Sequence, residues 1–103
     1  MYTLGIYTLD MIKTFKCAET ERLFLRESAR RLAPDILRSA LRKLLLLNAA
    51  KTVEELRLPP GNRLERLRGD RDGAWSLRIT DQWRICFLWD GSDAFDVEIV
   101  DYH

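Results

Sequence analysis

The hydrophobic period of this chain changes at Pro59-Pro60-Gly61, and that break constrains the fold more than any other feature. Before it, Leu37, Ala40, Leu41, Leu44 and Leu47 recur at spacings of three and four, with Arg38, Arg42 and Lys43 off the stripe. Such spacing belongs to a helix that buries one face. After it, Trp75, Leu77 and Ile79 alternate with Ser76, Arg78 and Thr80, and Trp83, Ile85, Phe87 and Trp89 share one side of a second run. Alternation belongs to half-buried strands. A chain that is helical first and stranded second places its helices and its sheet in separate layers.

The remaining elements fit around that break. Met11–Phe15 reads as an opening strand, Glu19–Leu32 as a first helix, and Pro34 as the first turn of the second helix, where its missing N–H removes nothing useful. Thr52-Val53-Glu54-Glu55 has the capping-box spacing and opens one short helical turn. Leu64 and Leu67 mark a short strand, Asp70–Gly73 a turn, Asp90-Gly91-Ser92-Asp93 a second turn, and Phe95–Val100 the last strand. The expected fold class is α+β: an N-terminal strand, two helices, then an antiparallel meander of about four strands with the helices packed on one face. The other face is left as a concave functional surface. Residues 1–10 read as a detachable extension or tag, because Met11 opens directly into the first strand, and 11–103 as a single domain.

The chain has 103 residues, 47% hydrophobic and 32% charged. That balance suits a globular domain and excludes a disordered chain. No apolar stretch reaches the ~18 residues of a membrane span. The N-terminus lacks the basic and apolar blocks of a secretory signal. Cys17 and Cys86 match no paired metal or redox spacing, and with a single histidine they build no zinc site of the usual kind. The expectation is reduced, cytoplasmic thiols and no metal or cofactor.

The net charge is only +1, yet all 17 Lys and Arg residues lie at or before Arg84. Seven arginines fall between Arg57 and Arg84, against four acids. Such a local excess is either a solvated, salt-bridged surface or a phosphate-binding patch. Arg84 sits in the middle of an apolar strand, so it needs either a counter-ion (Glu65, Asp101 or another local acid) or an anionic ligand. His103 is the one histidine and the last residue. A terminal histidine is commonly a frayed end, but this one follows a strongly patterned strand and suits proton transfer near neutral pH.

The segments Gly61-Asn62-Arg63-Leu64-Glu65, Gly69-Asp70-Arg71-Asp72-Gly73-Ala74-Trp75-Ser76-Leu77, Asp81-Gln82-Trp83-Arg84-Ile85-Cys86-Phe87 and Val97-Glu98-Ile99-Val100-Asp101-Tyr102-His103, in that order, resemble the HigB toxins of the RelE superfamily, with a likeness to their GraT-like branch. The resemblance covers about residues 11–103 and implies a RelE-like microbial ribonuclease fold. It further implies an endoribonuclease that cuts mRNA in the ribosomal A site. Its partners would be the ribosome, mRNA and a helix-turn-helix, HigA-like antitoxin encoded beside it, with operator DNA reached only through that antitoxin and no membrane involved. By position, Arg84 matches the arginine that stabilises the scissile phosphate, and Asp101, Tyr102 and His103 match the C-terminal functional triplet. Arg68 matches a basic phosphate contact, Asp70 and Arg71 match the turn beside the site, and Arg63 joins them as a phosphate-binding residue. Several family members carry a histidine where this chain has Glu65.

Metal-independent ribonucleolysis needs a base for the 2′-OH, cations for the phosphate oxygens and an acid for the leaving 5′-oxygen. In that scheme Arg84 holds the phosphorane charge and Arg68 and Arg71 position the backbone. His103 serves as acid or base, and Tyr102 stacks on a base or donates to phosphate. Asp101 orients His103 or holds Arg84. Glu65 is a further base if apolar neighbours raise its pKa. Two other classes compete: a non-catalytic ribosome- or RNA-binding protein on the same scaffold, and an interaction module whose arginines dock an acidic protein.

Overall fold

The computed structural model describes residues 12–67 and 73–101. Two helices, α1 (Ala18–Phe24) and α2 (Leu37–Ala49), precede four strands, β1 (Glu65–Arg66), β2 (Ala74–Arg78), β3 (Trp83–Trp89) and β4 (Ala94–Asp101). Short 3-10 turns at Pro34–Ile36, Val53–Arg57 and Pro60–Asn62 join the two halves. The strands form one antiparallel sheet in the order β1-β2-β3-β4. The α+β class, the meander and the helices on one face follow the sequence expectation.

The leucine stripe explains the layering. Ala40, Leu44 and Leu47 of α2 are fully buried, and they share one core with Leu23 of α1 and with Leu77, Ile85, Phe87 and Val97 of the sheet. Burial of that kind stabilises by about 25 cal/mol per Å² of apolar surface. The tie between α1 and β4 is polar: the buried Thr20 hydroxyl accepts the Ile99 N–H at 3.0 Å. This bond satisfies an amide on the outer edge of β4, beyond the stretch that the N-terminal segment pairs with.

Two expectations are corrected. The first helix stops at Phe24 rather than Leu32, because Arg26 adopts a left-handed conformation (φ 63°). Glu27 N–H donates to Arg22 O at 2.7 Å and Arg26 N–H to Leu23 O at 3.0 Å. This is the Schellman closure, made with arginine where glycine is usual. Ala29 and Leu32 still reach the core, from a loop that Glu19 fastens by accepting the Arg31 N–H at 3.0 Å. Thr52 makes no side-chain cap, so the capping box is absent and Val53–Arg57 is a 3-10 turn.

The N-terminal strand takes the form of two isolated parallel bridges to β4, Ile12 with Ala94 and Phe15 with Val97. The reason lies in β4. The register slips between Cys86 and Leu88 as Asp96 turns to φ 52°, a bulge that interrupts the edge. Thr14 bridges that interruption, its hydroxyl accepting the Asp96 N–H at 2.8 Å. Residues 1–10, expected as an extension, lie outside the described residues, as does most of the Asp70–Gly73 turn. The second turn forms as expected, with the Asp90 carboxylate accepting the Ser92 and Asp93 amides at 2.9 and 2.8 Å.

Candidate active site

Strand alternation assigns each candidate to a face. Leu77 pairs with Ile85 and Ile85 with Ile99, all on the helix side. The intervening residues point away from the helices. Glu65, Ser76, Cys86 and Glu98 therefore form one cross-strand row, and Arg78, Arg84 and Val100 the next. This face is not an empty concavity at its centre, as the sequence suggested. The Arg84 side chain occupies it and is buried together with Ser76 and Cys86.

Arg84 is held from several directions. Its Nε–H donates to the Ser76 hydroxyl at 2.8 Å, and Nη2 donates to the Arg63 carbonyl at 2.5 Å and to the Ser76 carbonyl at 3.4 Å. Glu65 Oε1 lies 3.6 Å from the same Nη2. The counter-ion left open by the sequence is thus Glu65 among the described residues. The neutral acceptors fix the plane of the guanidinium, while Glu65, 55% exposed, stands on its solvent side. A buried cation fixed by neutral groups and paired with an exposed carboxylate can exchange that carboxylate for another anion at modest cost. Glu65 thus faces the Arg84 guanidinium across the sheet surface.

Asp101 ends β4 opposite Trp83, one step from the Arg84–Val100 pair. Alternation turns it to the face opposite Arg84, and its carboxylate accepts from Gln82 Nε2 at 3.1 Å. Of the two roles expected for Asp101, holding Arg84 does not match this register. Arg63 is exposed and contributes its carbonyl, from a left-handed conformation (φ 43°), to the Arg84 site. Arg68, Asp70, Arg71, Tyr102 and His103 lie outside the described residues.

Sequence reading gave no separate role to Ser76, which anchors Arg84 directly, or to the nearby pair Asn62 and Lys43. Ser76 looked like one polar partner in an alternating strand, although a small polar residue between Trp75 and Leu77 on a face shared with a buried arginine was the available signal. Asn62 entered only within the Gly61–Glu65 segment and Lys43 only as a residue off the leucine stripe, although their side chains hydrogen-bond to one another. A separate groove beside α1, lined by Cys17, Glu19, Arg22, Arg31, Trp83 and Ile99, contains none of the candidates. Among the described residues no group of His, Cys, Asp and Glu is placed to hold a metal ion, and no helix is long and apolar enough to cross a membrane.

Comparison with known proteins agrees with the motifs. Residues 13–103 match the family model of HigB-like toxins, described as RelE-like toxins of the type II toxin-antitoxin system HigB. Toxin HigB-1 of Vibrio cholerae serotype O1 is 40% identical over 80 residues, spanning 77% of this chain and 84% of that protein. Endoribonuclease HigB of Proteus vulgaris is 42% identical over 41 residues, 40% of this chain and 45% of that one. Among solved structures, a YoeB/ParE toxin from Agrobacterium tumefaciens covers 89% of this chain and 96% of its own, at 20% identity and a TM-score of 0.47. With the match running through β1 to β4 and the Arg84 face, this chain belongs to the HigB-like toxins of type II toxin-antitoxin systems.

Proposed function

We propose that this protein is a ribosome-dependent mRNA endoribonuclease that inhibits translation by cutting RNA through 2′-OH attack on the adjacent phosphate, without a metal. The observation that carries the reading is Arg84: a buried guanidinium, aligned by Ser76 and the Arg63 carbonyl, with exposed Glu65 as its anionic partner. A scissile phosphate takes the place of the Glu65 carboxylate and receives a planar donor fork that lysine does not offer. The developing phosphorane charge is then met by a preorganised cation, the arrangement that contributes most to catalysis of this kind. The name of the Proteus vulgaris relative, an endoribonuclease, supports the same chemistry.

Around Arg84 we assign Arg68, Arg71 and the exposed Arg63 to phosphates of the bound strand, with Asp70 shaping the turn beside them. His103 transfers the proton, oriented by Asp101, and Tyr102 stacks on a base or donates to phosphate. Displaced from Arg84 by the incoming phosphate, Glu65 becomes available as the second proton carrier. As a toxin of this family the protein has a cognate antitoxin; we assign that partner to the helix-turn-helix, HigA-like class and place the pair in the cytoplasm, with operator DNA bound through the antitoxin alone. In this scheme residues 11–103 are a single toxin domain.

The test is to map cuts in a defined mRNA, with and without programmed ribosomes kept in Mg²⁺, using protein before and after it is stripped with a transition-metal chelator that spares Mg²⁺. Cuts confined to the ribosomal A site and unchanged by stripping are expected. Binding to ribosomes with no cut at any site would favour a non-catalytic ribosome-binding protein, in which Glu65 stays on Arg84 permanently.

A further inference from the structure

Asn62 is fully buried, yet it is a polar side chain in a chain segment of turns. Both ends of its carboxamide are engaged. Nδ2 donates to the Leu56 and Leu58 carbonyls, each at 3.1 Å, and Oδ1 accepts from the Lys43 ammonium of α2. Its backbone N–H donates to Pro59 O at 2.9 Å, and the next amide, of Arg63, donates to Pro60 O at 3.1 Å. One side chain thus ties the two 3-10 turns to the second helix. Burial lowers the Lys43 pKa, as do the neighbouring Arg42 and Arg78 cations. That ammonium is held in place despite an unfavourable setting.

The chain leaving this clamp supplies two partners of Arg84. Arg63, the next residue, is set in a left-handed conformation that a non-glycine residue adopts only when its surroundings impose it, and its carbonyl accepts from Arg84 Nη2 at 2.5 Å. Two residues later Glu65 enters β1 and brings its carboxylate 3.6 Å from the same nitrogen. Arg84 therefore has two anchors of separate origin. Ser76 holds Nε from within the sheet, while the Arg63–Glu65 segment, fixed by Asn62, holds Nη2.

We propose that Asn62 is a positioning residue for the Arg84 site, acting through the Arg63 carbonyl and the start of β1. It touches neither Arg84 nor substrate. No other side chain of similar size does its work: aspartate has no donors for the two carbonyls, and alanine leaves both, and Lys43, unmatched. The inference rests on the ribonuclease reading for its catalytic consequence, but its structural content stands independently at Arg84.

The experiment uses the full chain and reads both parts. Arg84 Nε–H and Nη–H exchange with solvent is followed by NMR, and kcat and KM for ribosome-bound mRNA are measured in the same samples, with near-UV circular dichroism confirming a folded population. For Asn62→Ala and Asn62→Asp, Nη–H exchange is expected to accelerate by about tenfold, with kcat falling by about 10- to 100-fold and KM nearly unchanged. A folded variant with wild-type exchange and wild-type kcat overturns the proposal. If neither variant folds, Lys43→Met, which removes only the Oδ1 partner, decides by the same exchange measurement: faster Nη–H exchange supports the positioning role and unchanged exchange overturns it. Should the wild type cut no RNA while Arg84 exchange still responds to Asn62, the ribonuclease reading fails and the positioning role stands.

Discussion

Ser76 accepts the Nε–H of Arg84 at 2.8 Å from the neighbouring strand, and both side chains are buried. The bond sets which edge of the guanidinium faces outward. Removing the hydroxyl takes from a buried, charged N–H the acceptor that aligns it. Ser76→Ala is expected to cost about 1–3 kcal/mol, read as a lower urea midpoint at unchanged m-value. Cleavage by the folded variant should fall as well, since Arg84 loses its alignment. Wild-type stability and activity in Ser76→Ala would show that the serine is incidental.

Thr20 supports the sheet from the opposite side. Its hydroxyl accepts the Ile99 amide at 3.0 Å on the outer edge of β4. Thr20→Val keeps the shape and removes the acceptor, so it is expected to destabilise by about 1–3 kcal/mol. Hydrogen exchange at the Ile99 amide should accelerate with it. An unchanged Ile99 exchange rate would contradict this role.

How much of this was legible in the sequence differs from element to element. The switch of period at Pro59-Pro60-Gly61 gave the two layers and the faces of β2 and β3, because both depend on residues close in the chain. Arg84 stood out because an arginine between Trp83 and Ile85 breaks an apolar strand. Its partner Ser76 did not, since a hydroxyl becomes an anchor only when the β2–β3 register brings it beside the guanidinium. The early end of α1 was hidden by Arg26, which takes the left-handed position where glycine would have announced a stop. The broken N-terminal strand was hidden by the Asp96 bulge, a feature of β4 and not of the segment it disrupts. The face that Asp101 takes was hidden as well, since it depends on the pairing of Arg84 with Val100.

Acid should loosen the loop after α1. The Arg31 backbone amide, together with the Arg22 guanidinium at 2.6 Å, holds the Glu19 carboxyl below the usual glutamate range against the opposing effect of burial. A carboxyl with a lower pKa folded than unfolded stabilises fully above its unfolded value. That contribution disappears as the pH falls through the folded value. The Tm is therefore expected to drop more steeply below roughly pH 4.5 in the wild type than in Glu19→Gln. Parallel Tm curves for the two proteins would remove Glu19 from the acid response.

His103 is assigned the proton transfer. Deleting it should reduce cleavage by about 10²–10⁴-fold while leaving ribosome association intact, measured by cosedimentation beside single-turnover cleavage. Normal cleavage by the truncated chain would transfer the role to Glu65, and Glu65→Gln would then be the inactive variant.

The central claim is that Arg84 binds the scissile phosphate with a fixed, planar set of donors, and charge alone does not distinguish that from a general basic patch. Arg84→Lys preserves the charge and removes the fork. Single-turnover cleavage of ribosome-bound mRNA by the folded Arg84→Lys variant is the most direct measurement. A loss of about 10²-fold or more relative to wild type is expected. Cleavage within a few-fold of wild type would contradict the assignment and leave Arg84 as a structural cation paired with Glu65.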